Sequence, residues 1–192
     1  MKKMLIPVII IIGFFVILAA LLIPSYNGFV DSNENVNQSY AQVETQLQRR
    51  VDLIPNLVET VKGFADQERE ILTEIADARA RLAGADSPNE QAEADSELAG
   101  ALSRLLVIVE NYPDLKSDAN FRQLMDELAG TENRLSVARQ DYNESVSQHN
   151  RKVNRMPGAL LAGVFGFDER EYFEAEDGAE EAPEVDFGSD GE

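Results

Sequence analysis

Residues 47–61 read LQRRVDLIPNLVETV, an apolar repeat interrupted by two adjacent arginines and by Pro55. Leu47, Arg50, Ile54, Leu57 and Val61 fall at the a and d positions of a heptad, and the phase runs on in both directions. With Tyr26 at position a, the a series is Tyr26, Asn33, Tyr40, Leu47, Ile54, Val61, Glu68, Ile75 and Leu82. The d series is Phe29, Val36, Val43, Arg50, Leu57, Phe64, Ile71 and Ala78. Only Asn33, Arg50 and Glu68 are neither apolar nor aromatic, so the phase survives without a slip. Val51, Val58 and Leu72 widen the stripe, which suits a multi-helix bundle better than a two-stranded coiled coil.

A proline inside a helix removes one hydrogen bond and crowds the preceding turn, at a cost of about 3 kcal/mol. Either the helix kinks at Pro55, or one helix ends near Arg50 and another starts at Asp52 with the proline in its first turn. RRVD offers no glycine for a reversal, and the unbroken heptad favours the kink. The expectation is one helix over 26–83, kinked at Pro55 and about 85 Å long.

The stretch AGADSPNE ends that helix and starts the next, with Ser87 as cap, Pro88 at the first helical position and Glu90 closing a capping box. A second helix over about 88–111 carries Leu98, Leu102, Leu105 and Val109 on one face, and Tyr112-Pro113 stops it. A third over about 118–154 repeats Phe121, Leu128, Leu135, Tyr142 and His149 every seven residues. Nothing in this region alternates as a strand would, so the class is all-α, an antiparallel bundle of three to four long helices. The second helix is less than half the length of the first. The stripe between Tyr40 and Val61 therefore needs the third helix or a second subunit to cover it, and Tyr40, Leu47, Arg50, Ile54 and Val61 are the candidate self-association residues of a homo-oligomer.

Before the bundle (26–167) stands a segment of another kind, residues 1–25. Leu5 to Ile23 contains no charged residue and matches a hydrocarbon core of about 30 Å. The run is longer than a signal-peptide core, and Leu-Leu-Ile-Pro follows where cleavage would want small residues, so it reads as an uncleaved transmembrane anchor. Lys2 and Lys3 precede it, while Asp31 and Glu34 follow. This places the N-terminus in the cytoplasm and the bundle outside, in a single-pass protein of the cell membrane. The lipid bilayer is its first expected partner.

After the bundle comes a tail, residues 168–192, with 12 of the 35 acidic residues and one arginine. It cannot bury enough apolar surface to offset its ordering entropy and is expected to be disordered. Its plain reading is a solvating tail. Aromatic residues are wasted in one, so Val185 and Phe187 in EVDF are a candidate motif that adds as a strand to a partner protein or a neighbouring subunit.

The net charge of −18 works against nucleic acid, and the absence of cysteine excludes disulfides, thiol chemistry and cysteine metal sites. His149 is the single histidine, so a di-iron Glu-x-x-His pair cannot be built, and no glycine-rich phosphate loop is present. No catalytic, cofactor-binding or metal-binding residue is assigned, and no cofactor is expected. The segment 156–167, MPGALLAGVFGF, is uncharged and too short to span a bilayer; Arg151, Lys152 and Arg155 precede it. It either lies at the membrane interface or packs on protein as a lid. A single kinked first helix carries the end of the third away from the membrane, which favours packing on protein.

YNGFV, LQRRVDLIPNLVETVKGFADQE, GTENRLSVARQDYNESV, MPGALLAGVFGF and APEVDF in one chain resemble the LemA family of bacterial membrane proteins. The resemblance implies a membrane-anchored bundle of long antiparallel helices with its span at the start, in the bacterial inner membrane, and implies no enzymatic activity. The functional expectation is a self-associating membrane-anchored scaffold or interaction protein. The alternative is an extracytoplasmic ligand-binding or sensor module of the cell envelope.

Overall fold

The computed structural model describes residues 2–65 and 67–173, and their regular structure is entirely helical. The elements are α1 (Lys2–Lys62), α2 (Arg69–Ala83), α3 (Pro88–Val109), α4 (Pro113–Ser117), α5 (Ala119–Asn154) and α6 (Gly158–Phe165). The all-α class and the long apolar N-terminal helix agree with the sequence. α1 has 61 residues, about 90 Å, and its first part is apolar and long enough to cross a membrane. There Ile10, Phe14, Val16 and Ile17 are exposed, whereas from Phe29 onward one face of the same helix is buried.

The expected single helix over 26–83 is not formed. α1 passes through Pro55 and ends at Lys62, and the chain turns back to enter α2 at Arg69. From Val61 to Glu68 to Ile75 is seven residues each time, so the heptad count survives a reversal that no helix crosses. Glu68, the one acid in the a series, is the N-cap residue of α2 and accepts the Tyr112 hydroxyl at 2.6 Å. Phe64 is exposed in the turn instead of lying on the stripe.

Pro55 has no N–H, so the carbonyl of Val51 one turn earlier loses its helical donor. Arg79 of α2 supplies the replacement: its Nε donates to the Val51 carbonyl at 2.9 Å. The proline that α1 tolerates thus leaves an acceptor to which α2 docks. Ser87 and Glu90 form the expected capping box at the start of α3, and Asp118 caps α5 by accepting the Phe121 N–H at 2.9 Å.

α2 and α3 form an antiparallel hairpin bridged at its surface by Arg81–Glu97 and Arg104–Glu74. α5 runs antiparallel to α1, as Arg134–Gln46, Ser145–Ser39 and Lys152–Gly28 contacts show in succession. The chain therefore goes out along α1, back along α2, out along α3 and back along α5. With 36 residues, α5 covers the stripe of α1. Val36, Val43, Leu47, Val51, Ile54, Leu57 and Val61 share one buried core with Leu128, Leu135, Ala138, Tyr142 and Val146. Each such side chain contributes about 1.5–3 kcal/mol on burial.

Candidate functional site, a clamped strap along the last long helix

After α6 the chain reverses at Gly166, whose left-handed φ of 74° glycine adopts without strain. Residues 167–173 then climb α5 as a strap without helical structure. Asn150 and Asn143 of α5 hold it. Asn150 Nδ2 donates to the Arg170 carbonyl at 2.9 Å, and its Oδ1 accepts the Arg170 N–H at 2.8 Å. Asn143 does the same for Phe173, at 2.9 Å in both directions. A primary amide carries the donor and acceptor of a peptide group, so each asparagine reads main chain regardless of side chain. Seven helical residues rise about 10.5 Å and three extended residues span about 10 Å, so two asparagines seven apart fit an extended segment at every third residue.

Two more α5 side chains complete the cradle. The Tyr142 hydroxyl donates to the Glu171 carbonyl at 2.8 Å. His149 Nε2 lies 3.0 Å from the Asp168 carbonyl, which only accepts, so Nε2 carries the proton. Its Nδ1 lies 3.1 Å from Ser32 Oγ of α1. Both ring nitrogens have polar neighbours and the ring is buried. Among the described residues no three acidic or histidine side chains are placed to hold a metal ion.

The strap ends in an aromatic pocket. Phe173 is buried, edge-on to Tyr142 with centroids 5.1 Å apart and stacked on Tyr40 at 6.3 Å. Burial pushes the Tyr142 phenol above its usual range, and burial followed by the Glu44 carboxylate does the same to Tyr40, so both hydroxyls stay protonated. The Arg139 guanidinium sits 5.5 Å from the Phe173 ring centre. Arg139 also donates to Asp95 Oδ2 of α3 at 2.9 Å, while Arg50 of α1 meets Asp95 Oδ1 at 2.7 Å and the Glu132 carboxylate. Burial pushes the Asp95 carboxyl above its usual range, against the pull of its two guanidinium partners. One ionic cluster centred on buried Arg50 and Asp95 therefore joins α1, α3 and α5 and extends to the strap.

Arg50 pairs across helices, not with the nearby Asp52, which accepts Gln48. Leu47, Arg50, Ile54 and Val61 lie on one face of α1, and Tyr40 is half-buried beside them. That face is closed by α5 of the same chain, so the open stripe that marked these five as self-association residues does not exist. An expected first helix more than twice the length of the second left the stripe to the third helix or a second subunit; with α1 ending at Lys62, α5 takes that place. Val185 and Phe187 lie outside the described residues.

The sequence reading missed Asn143, Asn150, Asp95 and Arg139. A signal was present for the first two: Tyr142-Asn143 and His149-Asn150 repeat an aromatic–asparagine pair at a spacing of seven. Asp95 gave none, because an acid on a helix face reads as solvated until its neighbours are placed.

Together these features define a helical bundle built on an apolar N-terminal helix, with side chains of α5 that hold the main chain of residues 168–173. The chain belongs to the LemA family, whose model matches residues 39–187 and so reaches Phe187. Relatives include Magnetosome protein MamQ 2 of Paramagnetospirillum magneticum, 29% identical over 181 residues covering 81% of this chain and 66% of that protein. Magnetosome protein MamQ of Magnetospirillum gryphiswaldense is 29% identical over 79% of this chain and 65% of its own length. Protein LemA of Metamycoplasma hominis is 28% identical over 64% of this chain and 56% of its own. The chain thus spans just under two thirds of the length of the MamQ relatives it matches.

Proposed function

We propose that this protein is a single-pass membrane scaffold without catalytic activity of its own, which roots an acidic tail at a fixed height above the bilayer. Through that tail it engages protein partners or neighbouring copies. The observation that carries this reading is the paired clamp of Asn143 and Asn150 on the strap. Backbone clamping at two points gives the tail a defined origin and direction, which a purely solvating tail does not need. α1 supports the same reading, since one helix continues from the apolar segment into the bundle with no loop between them. Phe173 is held beside Tyr40, 17 residues beyond Ile23, so the tail leaves about 25 Å from the end of the apolar run. Lys2 and Lys3 favour a cytoplasmic N-terminus and an extracytoplasmic bundle.

The test is light scattering after size exclusion in mild detergent, comparing the full chain with one ending after Phe173. A discrete assembly that falls to a monomer on truncation supports tail-mediated association. Monomers in both cases remove self-association from the reading. A marked gain of thermal stability with a small molecule would favour a ligand-binding sensor instead.

A further inference from the structure

The return of α5 brings the uncharged segment 156–167 back to the foot of the bundle, beside the end of the apolar run of α1. Tyr26 lies three residues beyond Ile23, about 4.5 Å along the helix, and its ring meets Phe165 at 5.2 Å and Phe167 at 5.9 Å. Phe29 stacks on Phe167 at 5.2 Å, and Phe29, Val153 and Ala162 form a small separate core. α6 is seated there closely. A Cβ on Gly158 would collide with the Lys152 carbonyl, so only glycine lets the start of α6 reach the end of α5.

One face of this segment is used on protein and the other is not. Ala162 is buried, whereas Met156, Leu160 and Val164, four residues apart, are 65%, 65% and 78% exposed. On α1 the same level shows Ile23, Tyr26 and Val30, also exposed. We propose that Met156, Leu160 and Val164 enter the interfacial layer of the bilayer, making α6 a second membrane contact that fixes the bundle upright on its span. This rests on the reading of α1 as a membrane anchor.

Three observations commit the face to lipid. It is continuous with the apolar run of α1, and it lies within the several-ångström headgroup layer that flanks the hydrocarbon core. It follows a basic cluster, Arg151, Lys152 and Arg155, all exposed, in a chain that is otherwise strongly acidic. Asp31, next after Val30, and Asp168, next after Phe167, are the acids adjoining these segments in sequence, and both are exposed. The aromatic rings of Tyr26, Phe165 and Phe167 gather at the same height, as rings do at membrane boundaries. A short uncharged helix beside basic residues at that level is an interfacial element.

The chain has no cysteine, so single labels can be placed cleanly. An environment-sensitive dye is attached to Ile12→Cys, Val164→Cys or Val107→Cys of the full chain in phosphatidylcholine vesicles with a minority of phosphatidylglycerol. Quenching is measured with lipids carrying a nitroxide high on the acyl chain for positions 107 and 164, and near the end of the acyl chain for position 12, which lies close to the middle of the span. The expected result is about a twofold or greater loss of fluorescence at positions 12 and 164 and none at exposed Val107 on α3. No quenching at 12 overturns the anchor itself. Quenching at 12 but not at 164 overturns only the second contact. A blue shift at 164 without lipid quenching places a second copy on this face and also overturns it. Gly158→Ala, which pushes α6 from its seat, is expected to reduce the signal at 164 while leaving 12 unchanged; an unchanged signal at 164 counts against the proposal.

Discussion

The α2–α3 hairpin and the 167–173 strap both lie against the α1–α5 pair, and they are held by opposite means. The hairpin is held chiefly by apolar burial: Ile71, Leu72, Ile75, Ala78, Leu98, Leu102 and Leu105 belong to the same core as α1 and α5. The strap contributes one buried side chain, Phe173, and is otherwise fixed through its backbone by two asparagines, a tyrosine and a histidine. Apolar burial gives stability and is cooperative with the whole bundle. Backbone clamping gives position at little net energy, because each hydrogen bond replaces one to water. One region makes the protein fold, while the other fixes the course of residues 167–173 along α5.

The largest effect expected is at Ile54, which is 1% exposed in the centre of that core. Ile54→Asp buries a charge with no partner and is expected to unfold the bundle, with loss of most helical circular dichroism beyond the apolar segment. If the variant kept its helicity and lost only an oligomer, the stripe would be a subunit surface after all, and α5 would not be its cover.

Next come the polar contacts that fasten the hairpin. Asp95→Leu takes the shared carboxylate from Arg50 and Arg139, leaving Arg50 with Glu132 alone, and is expected to cost about 1–3 kcal/mol, read from denaturant unfolding. Arg79→Met leaves the Val51 carbonyl without a donor and is expected to cost about 1–3 kcal/mol. In a Pro55→Ala background the helix supplies its own donor to Val51, so Arg79→Met should then cost clearly less. Additive effects in that double-mutant cycle would mean that the proline and the arginine are unrelated.

The strap should respond differently. Asn143→Ala with Asn150→Ala is expected to release residues 168–173 while changing global unfolding by only about 1–2 kcal/mol. Amide hydrogen exchange at Arg170 and Phe173 is the readout, since each N–H loses its acceptor. A collapse of the whole bundle would erase the distinction between the two regions.

The same distinction explains what the sequence disclosed. The hairpin was legible where apolar spacing and capping chemistry carry it: Ser87, Pro88 and Glu90 mark the start of α3, and Asp118 that of α5. The turn at Gly63 was not, because the loop happens to preserve the heptad count and Glu68 passes as a stripe residue at its edge. The strap was illegible for a deeper reason. Asn143 and Asn150 recognise main chain, which is the same in every sequence, so no pattern in residues 168–173 announces the pairing. The self-association residues were found as a face, yet what covers a face depends on helix lengths, and one missed turn changed them.

The smallest expected effect separates the two regions by pH. Burial holds the folded Asp95 carboxyl above its unfolded value, so over the window between the two the folded state binds more proton than the unfolded state. Stability from this group is therefore present below the ordinary carboxylate range and declines as pH rises through it toward the raised value. That is the reverse of a salt-bridged surface carboxylate, because here desolvation outweighs the pull of Arg50 and Arg139. Asp95→Asn cannot titrate at this position, so the unfolding free energy of the native protein minus that of the variant should fall as pH rises through the window, whatever their offset. Hydrogen exchange in the strap should share the trend only weakly, since Arg139 touches both Asp95 and the Phe173 ring but supplies none of the backbone clamps. A rise in that difference with pH would mean that the two guanidinium groups win over burial, and that the hairpin is fastened by charge as much as by its apolar core.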